Sequence, residues 1–121
     1  MTKPFARFAR RAGIVESDLW KAACDVAAGK IDADLGGGVI KQRIARQGQG
    51  KSGGSRSIVL FRRHGRAVFV YGFEKKDRAN IETRELAAFR ELADIVLGYS
   101  EAETAKRVAD GALLEIPPRE Q

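Results

Sequence analysis

Cysteine and histidine are nearly absent: Cys24 and His64 are the only ones among 121 residues. A lone cysteine cannot close an internal disulfide, so nothing points to an oxidising compartment, and a cytoplasmic location is expected. One His and one Cys cannot assemble a zinc site of ordinary type, and neither metal nor cofactor is expected. Long apolar runs are missing too. No window approaches the roughly 20 apolar residues of a membrane span, and the N-terminal MTKPFARFARR lacks the apolar core of a secretory signal. No membrane partner is expected. Conventional catalytic pairs are also lacking: His64 stands beside Gly65 in an expected turn, and Cys24 reads as a small core residue on an alanine-rich helix.

Charge is present, and it is segregated. The chain carries a formal +6 and a pI near 9.8. Residues 1–35 contribute +1, residues 36–78 contribute +9 from eleven basic and two acidic side chains, and residues 79–121 contribute −4. Between Asp34 and Glu74 no acidic residue occurs, while Lys41, Arg43, Arg46, Lys51, Arg56, Arg62, Arg63 and Arg66 all do. A solvated face usually mixes both signs, so a one-sign block of this size points to a polyanion such as nucleic acid. With 44% hydrophobic residues in 13.2 kDa, one compact domain is expected over residues 1–116, followed by a short tail at 117–121.

Periodicity places the block on a sheet. Phe5, Phe8 and Ala9 recur at helical spacing before Gly13, and Leu19, Ala22, Ala23 and Val26 do so between a cap at Ser17 and Gly29, which predicts two N-terminal helices forming a hairpin. Trp20 and Phe8 read as packing residues of that hairpin. After Gly36–Gly37–Gly38, residues 39–45 alternate, with Lys41 and Arg43 on one face and Ile40, Gln42 and Ile44 on the other. Further strands are expected at 56–61 and 67–73, joined by short loops into an antiparallel meander covered by helices on one face. Asn80 is the expected cap of a long helix through Leu86, Phe89, Ala93 and Val96; Ser100 and Glu103 form a capping-box pattern for a shorter one, and residues 112–116 are expected to return as a strand. The fold class is therefore α+β, an antiparallel sheet of three to four strands packed against N-terminal helices with a C-terminal helical segment.

The loop GQGKSGG invites comparison with a nucleotide-binding P-loop. The Walker spacing requires glycine where Ala45 stands, and Ser55, Arg56, Ile58 and Val59 lead into a strand instead of a phosphate-binding helix. Nucleotide hydrolysis is thereby disfavoured. A catalyst in this chain must be built of Lys and Arg, and RNA permits that because it supplies its own nucleophile, the 2′-hydroxyl next to the scissile phosphate. The protein needs to align that oxygen, assist its deprotonation and stabilise the charge that gathers on phosphorus. The same residues would bind DNA without cutting it.

Three motifs occur in order: the K-x-R strand of Lys41 and Arg43, a G-x-G-K-S-G-G-x-R loop from Gly48 to Arg56, and a G-F-x-K-x-x-x-x-N-I step from Gly72 to Ile81. Together they resemble toxins of the RelE/HigB type from bacterial toxin–antitoxin pairs, within the RelE/ParE superfamily, over roughly residues 5–116. The resemblance implies a RelE-like fold and a metal-independent endoribonuclease that cleaves mRNA on the ribosome and inhibits translation. It also implies a cognate antitoxin of helix-turn-helix type, through which alone operator DNA is contacted. Carried over by motif, Lys41, Arg43, Arg56 and Lys76 are the catalytic candidates, and Lys51, Arg46, Lys75 and Arg78 the RNA-phosphate candidates. Arg56 is expected to stand at the rim of the basic face rather than in the core. Relatives carry a strand before the N-terminal helix; only residues 1–4 precede Phe5 here, so the sheet is expected to lack that edge. The alternatives are a ParE-like inhibitor of DNA gyrase and a non-catalytic nucleic-acid-binding homologue.

Overall fold

A computed structural model describes residues 1–45, 54–63 and 65–118. Helix α1 (Lys3–Ala12) has Pro4 in its first turn, where a missing N–H breaks no helical bond, and ends at Gly13 in the left-handed region. Helix α2 (Glu16–Ala27) starts two residues earlier than expected: Val15 is the N-cap, and the Asp18 carboxylate accepts its N–H at 3.0 Å. Ser17 is therefore inside the helix and is not its cap.

Four strands follow, β1 (Ala33–Gly36), β2 (Val39–Ile44), β3 (Ser55–Phe61) and β4 (Ala67–Glu74), ordered β1-β2-β3-β4 with every pairing antiparallel. Strand β1 was not expected, because Asp34 and Gly36 disfavour strands locally. It is held by its ladder to β2 and by Arg90, which donates to the Leu35 and Gly36 carbonyls. The intervening turn explains the glycine triplet: Gly36, Gly37 and Gly38 all have positive φ, and a Cβ on Gly37 would lie 2.8 Å from Arg90 Cγ.

Helix α3 (Thr83–Val96) begins after an N-cap at Glu82; Asn80 instead accepts the Ile81 N–H through its side chain. Helix α4 (Glu101–Ala109) carries the Ser100–Glu103 capping box as expected. Residues 112–116 do not form a strand, and only Leu113 makes an isolated bridge, to Thr2. Thr2 also donates its N–H to Phe69 at 3.0 Å, so the outer edge of β4 is met by the first residues even though no full strand is present.

Helices cover both faces of the sheet, not one. Phe5, Ala9, Leu19, Ala22 and Val26 of α1 and α2 pack on Ile40, Ile44, Val59 and Phe69. On the opposite face Ala93, Val96 and Leu97 pack on Val39, Ile58, Leu60, Val68 and Val70. The α1 side approaches closely enough that a Cβ on Gly72 would meet the Phe8 ring at 2.2 Å. Phe8 is thus a packing residue, as its spacing indicated.

Candidate functional site

The alternation of β2 sorts its side chains as the sequence indicated. Ile40, Gln42 and Ile44 are buried toward α1 and α2, while Lys41 is half-buried and Arg43 exposed on the other face. Residues directly opposite in an antiparallel ladder share a face. Arg43 faces Arg56, Lys41 faces Ile58, and Arg56 faces Phe73 in turn. Lys41, Arg43 and Arg56 therefore stand on one face of the sheet, the face on which α3 packs. The next pair along, Ser55 and Glu74, leads directly into the turn carrying Lys75 and Lys76. That turn closes when the Asp77 and Arg78 N–H groups both bond the Glu74 carbonyl, at 3.0 and 3.2 Å, and it leaves both lysines exposed.

Arg56 corrects an expectation. Its side chain is only 6% exposed, so the guanidinium is not at the rim. Nη1 donates to the Gly54 and Ser55 carbonyls at 3.3 and 3.5 Å, and Nε lies 3.7 Å from Asp32 Oδ2. The cause is its position beside the buried pair Ser55 and Ser57, where an arginine must find internal acceptors. Asp32 also accepts from Arg43 Nε at 3.2 Å, so one carboxylate joins both arginines. Asp32 escaped notice in the sequence because it belongs to a segment of almost balanced charge. No local signal could have found it, because the strand that follows it, β1, forms only through its pairing with β2 and its contact with Arg90.

Asp32 is itself fixed from below. Gln42, 3% exposed, accepts the Asp32 N–H at 3.2 Å through Oε1 and donates to the Lys30 carbonyl at 3.0 Å through Nε2. A cleft of about 320 Å³ opens beside this arrangement, lined by Lys30, Ile31, Asp32, Gln42 and Arg43.

Arg78 forms a second ion-paired unit. It makes two bonds to the Glu85 carboxylate, at 2.5 and 3.2 Å, and donates to the Tyr71 hydroxyl at 3.1 Å and the Asn80 carbonyl at 2.9 Å. Its guanidinium also lies 5.9 and 5.7 Å from the Tyr71 and Phe73 ring centres. The hydrogen bonds from Arg78, and then from the Glu82 N–H, hold the Glu85 carboxyl below its ordinary pKa. The Glu85 carboxylate in turn raises the pKa of Arg78. Tyr71, close to the block in sequence, packs against Phe73 and Phe89 and does not stand free.

Among the described residues no ion pair engages Lys41, Lys75 or Lys76. Arg46, Lys51 and His64 lie outside the described residues. Another groove, of about 660 Å³ between α2, β4 and α4, holds none of the six candidate cations among the described residues; half-buried Trp20 is part of its wall. Among the described residues no group of three or more His, Cys, Asp or Glu could hold a metal ion, and no helix is long and apolar enough to cross a membrane.

No curated protein and no solved structure matches the chain significantly. One family does. Residues 1–116 match the family described as the RelE toxin of the RelE/RelB toxin–antitoxin system. The four-stranded antiparallel sheet with its helices is the α+β arrangement expected of a RelE-like fold. The chain therefore belongs to the RelE toxin family, as the toxin member of a toxin–antitoxin pair whose cognate antitoxin is its implied partner.

Proposed function

We propose that this toxin is a metal-independent endoribonuclease that cleaves mRNA on the ribosome, with a Lys/Arg active site at the open end of the sheet. The observation that carries the reading is the ladder register, which sets Arg43 opposite Arg56 and Lys41 on the same face, beside the turn of Lys75 and Lys76. Phosphate charge would draw RNA to this end, and the exposed cations give it somewhere to bind.

The chemistry needs few parts. A lysine of the patch, Lys41 or Lys76, takes the proton of the 2′-hydroxyl. The freed oxygen attacks the neighbouring phosphorus, the bond from phosphorus to the 5′-oxygen breaks as the other, protonated lysine gives that oxygen its proton, and a 2′,3′-cyclic phosphate remains on the upstream fragment. Arg43 stabilises the charge gathering on the phosphoryl oxygens, because a guanidinium presents donors in the planar geometry those oxygens require. Arg56 is buried beneath it and acts by holding the site's charge in place. Arg46 and Lys51 remain proposed RNA contacts, as do Lys75 and Arg78, the last through whatever donor capacity Glu85 leaves it.

The test is cleavage of ribosome-bound mRNA in a translating extract by the purified toxin. Cleavage is expected, with a drop on the order of 10²-fold in Lys41→Ala, the scale of losing one preorganised charged group, and an unchanged melting temperature. A wild-type protein that leaves mRNA intact while blocking supercoiling by gyrase would replace this reading with the ParE-like one.

A further inference from the structure

The ion pair between Arg43 and Asp32 differs from an ordinary surface contact, which orders its partners weakly. The Asp32 carboxylate is 17% exposed and joins an arginine that is 47% exposed to one that is 6% exposed. Its own backbone is clamped by buried Gln42. Rigidity therefore passes from the core outward: Gln42 fixes Asp32, and Asp32 holds Arg43 by Nε. The Nε side of the Arg43 guanidinium is occupied, and no bond among the described residues engages its Nη atoms. An arginine held in this way presents its Nη edge, while an unheld one samples many rotamers before it can meet a phosphate.

We infer that Asp32 is the positioning residue of the patch, fixing Arg43 through Nε so that its Nη edge receives an RNA phosphate. The catalytic part of this inference rests on the ribonuclease reading. It also has a counter-intuitive consequence. Removing a negative charge from a phosphate-binding site should by Coulomb attraction help RNA bind, yet positioning requires that cleavage suffer.

The experiment compares full-length wild type, Asp32→Asn and Asp32→Glu. Single-turnover cleavage of ribosome-bound mRNA, affinity for an RNA oligonucleotide, melting temperature and the arginine Nε–Hε NMR signals are measured on each. Asp32→Asn is expected to cleave at least about tenfold more slowly, with RNA affinity equal or tighter and the Arg43 Nε–Hε signal shifted and faster to exchange with water. Asp32→Glu, which keeps the carboxylate one methylene further out, is expected to recover part of the rate. An unchanged rate in Asp32→Asn, or an Arg43 signal that does not move, would overturn the inference. So would rate and affinity falling together as both variants melt early, which is the mark of a purely structural residue. If the wild type cleaves nothing, the ribonuclease reading fails, and the Arg43 signal alone then decides whether Asp32 positions that side chain. Should Asp32→Asn not fold, the wild-type spectrum is decisive: inorganic phosphate must move the Arg43 Nη signals while Nε–Hε stays bound, and displacement of Nε–Hε would count against positioning.

Discussion

The two faces of the sheet are built from the same strands and have opposite fates. Toward α1 and α2, the inward positions of β2 and β3 are Ile40, Gln42, Ile44, Ser55, Ser57 and Val59, all buried. Their polar members are satisfied inside: the Ser57 hydroxyl donates to the Gln42 carbonyl at 3.0 Å, and Ser55 to Glu74 at 3.0 Å. Toward α3, the helix packs with Val39, Leu60 and Val68, while on the same face Lys41 stays half-buried and Arg43 exposed. Strand alternation makes two faces available, and the length and placement of the covering helices decide which of them becomes a site. One face is closed for stability, and half of the other stays open for charge.

The largest effect that would test this contrast is on the closed face. Phe69 is fully buried and packs at 5.2 Å from the Phe5 ring, so Phe69→Ala is expected to cost about 4 kcal/mol of unfolding free energy. Urea denaturation would read it, and a loss below about 1 kcal/mol would mean that this face is loosely packed.

Arg56→Ala comes next, and it probes the boundary between the faces. The buried guanidinium ties Asp32 to the Gly54 and Ser55 carbonyls, so its loss is expected to cost about 2 kcal/mol, less than for a fully buried pair because Arg43 still engages Asp32. Cleavage should fall as well. If the variant melts like wild type yet loses all activity, Arg56 touches RNA directly in the working complex, and the boundary drawn here is misplaced.

Glu85→Gln is the smallest expected change, and it depends on pH. Arg78 and the Glu82 N–H depress the folded-state pKa of Glu85 below its unfolded value. A depressed carboxyl contributes stability that is fully present above the unfolded pKa of about 4.3 and is lost as pH falls through the folded one. Wild type should therefore melt above Glu85→Gln near neutral pH, and the two melting curves should converge as the pH drops below about 4. Parallel curves down to pH 3 would show that the pair adds nothing to the open face.

Legibility in the sequence followed the range of the interactions. The split of β2 into Lys41/Arg43 and Ile40/Gln42/Ile44 was readable because period-2 alternation is local. The Ser100–Glu103 capping box was readable for the same reason, since its two bonds span three residues. Strand β1 was not, since nothing in Ala33–Gly36 favours a strand until β2 and Arg90 hold it there. Nor were the caps at Val15 and Glu82 foreseen: in each, a carboxylate three residues on takes the N–H of the cap residue itself.

Sequence by itself determined the segregation of charge, the three ordered motifs and hence the family, because composition and short spacings survive without coordinates. Tertiary structure alone decided how that charge is used. Arg56 turned inward and Arg78 became bound to Glu85, while Lys41, Lys75 and Lys76 kept no ionic partner among the described residues. Asp32 and Glu85, 24 residues before Arg56 and seven after Arg78, were brought to those arginines by strand pairing and by the chain's turn into α3. The physical reason is that a charge interacts through space. Its nearest counter-ion is set by the packing of sheet and helix, which a list of residues in order does not contain.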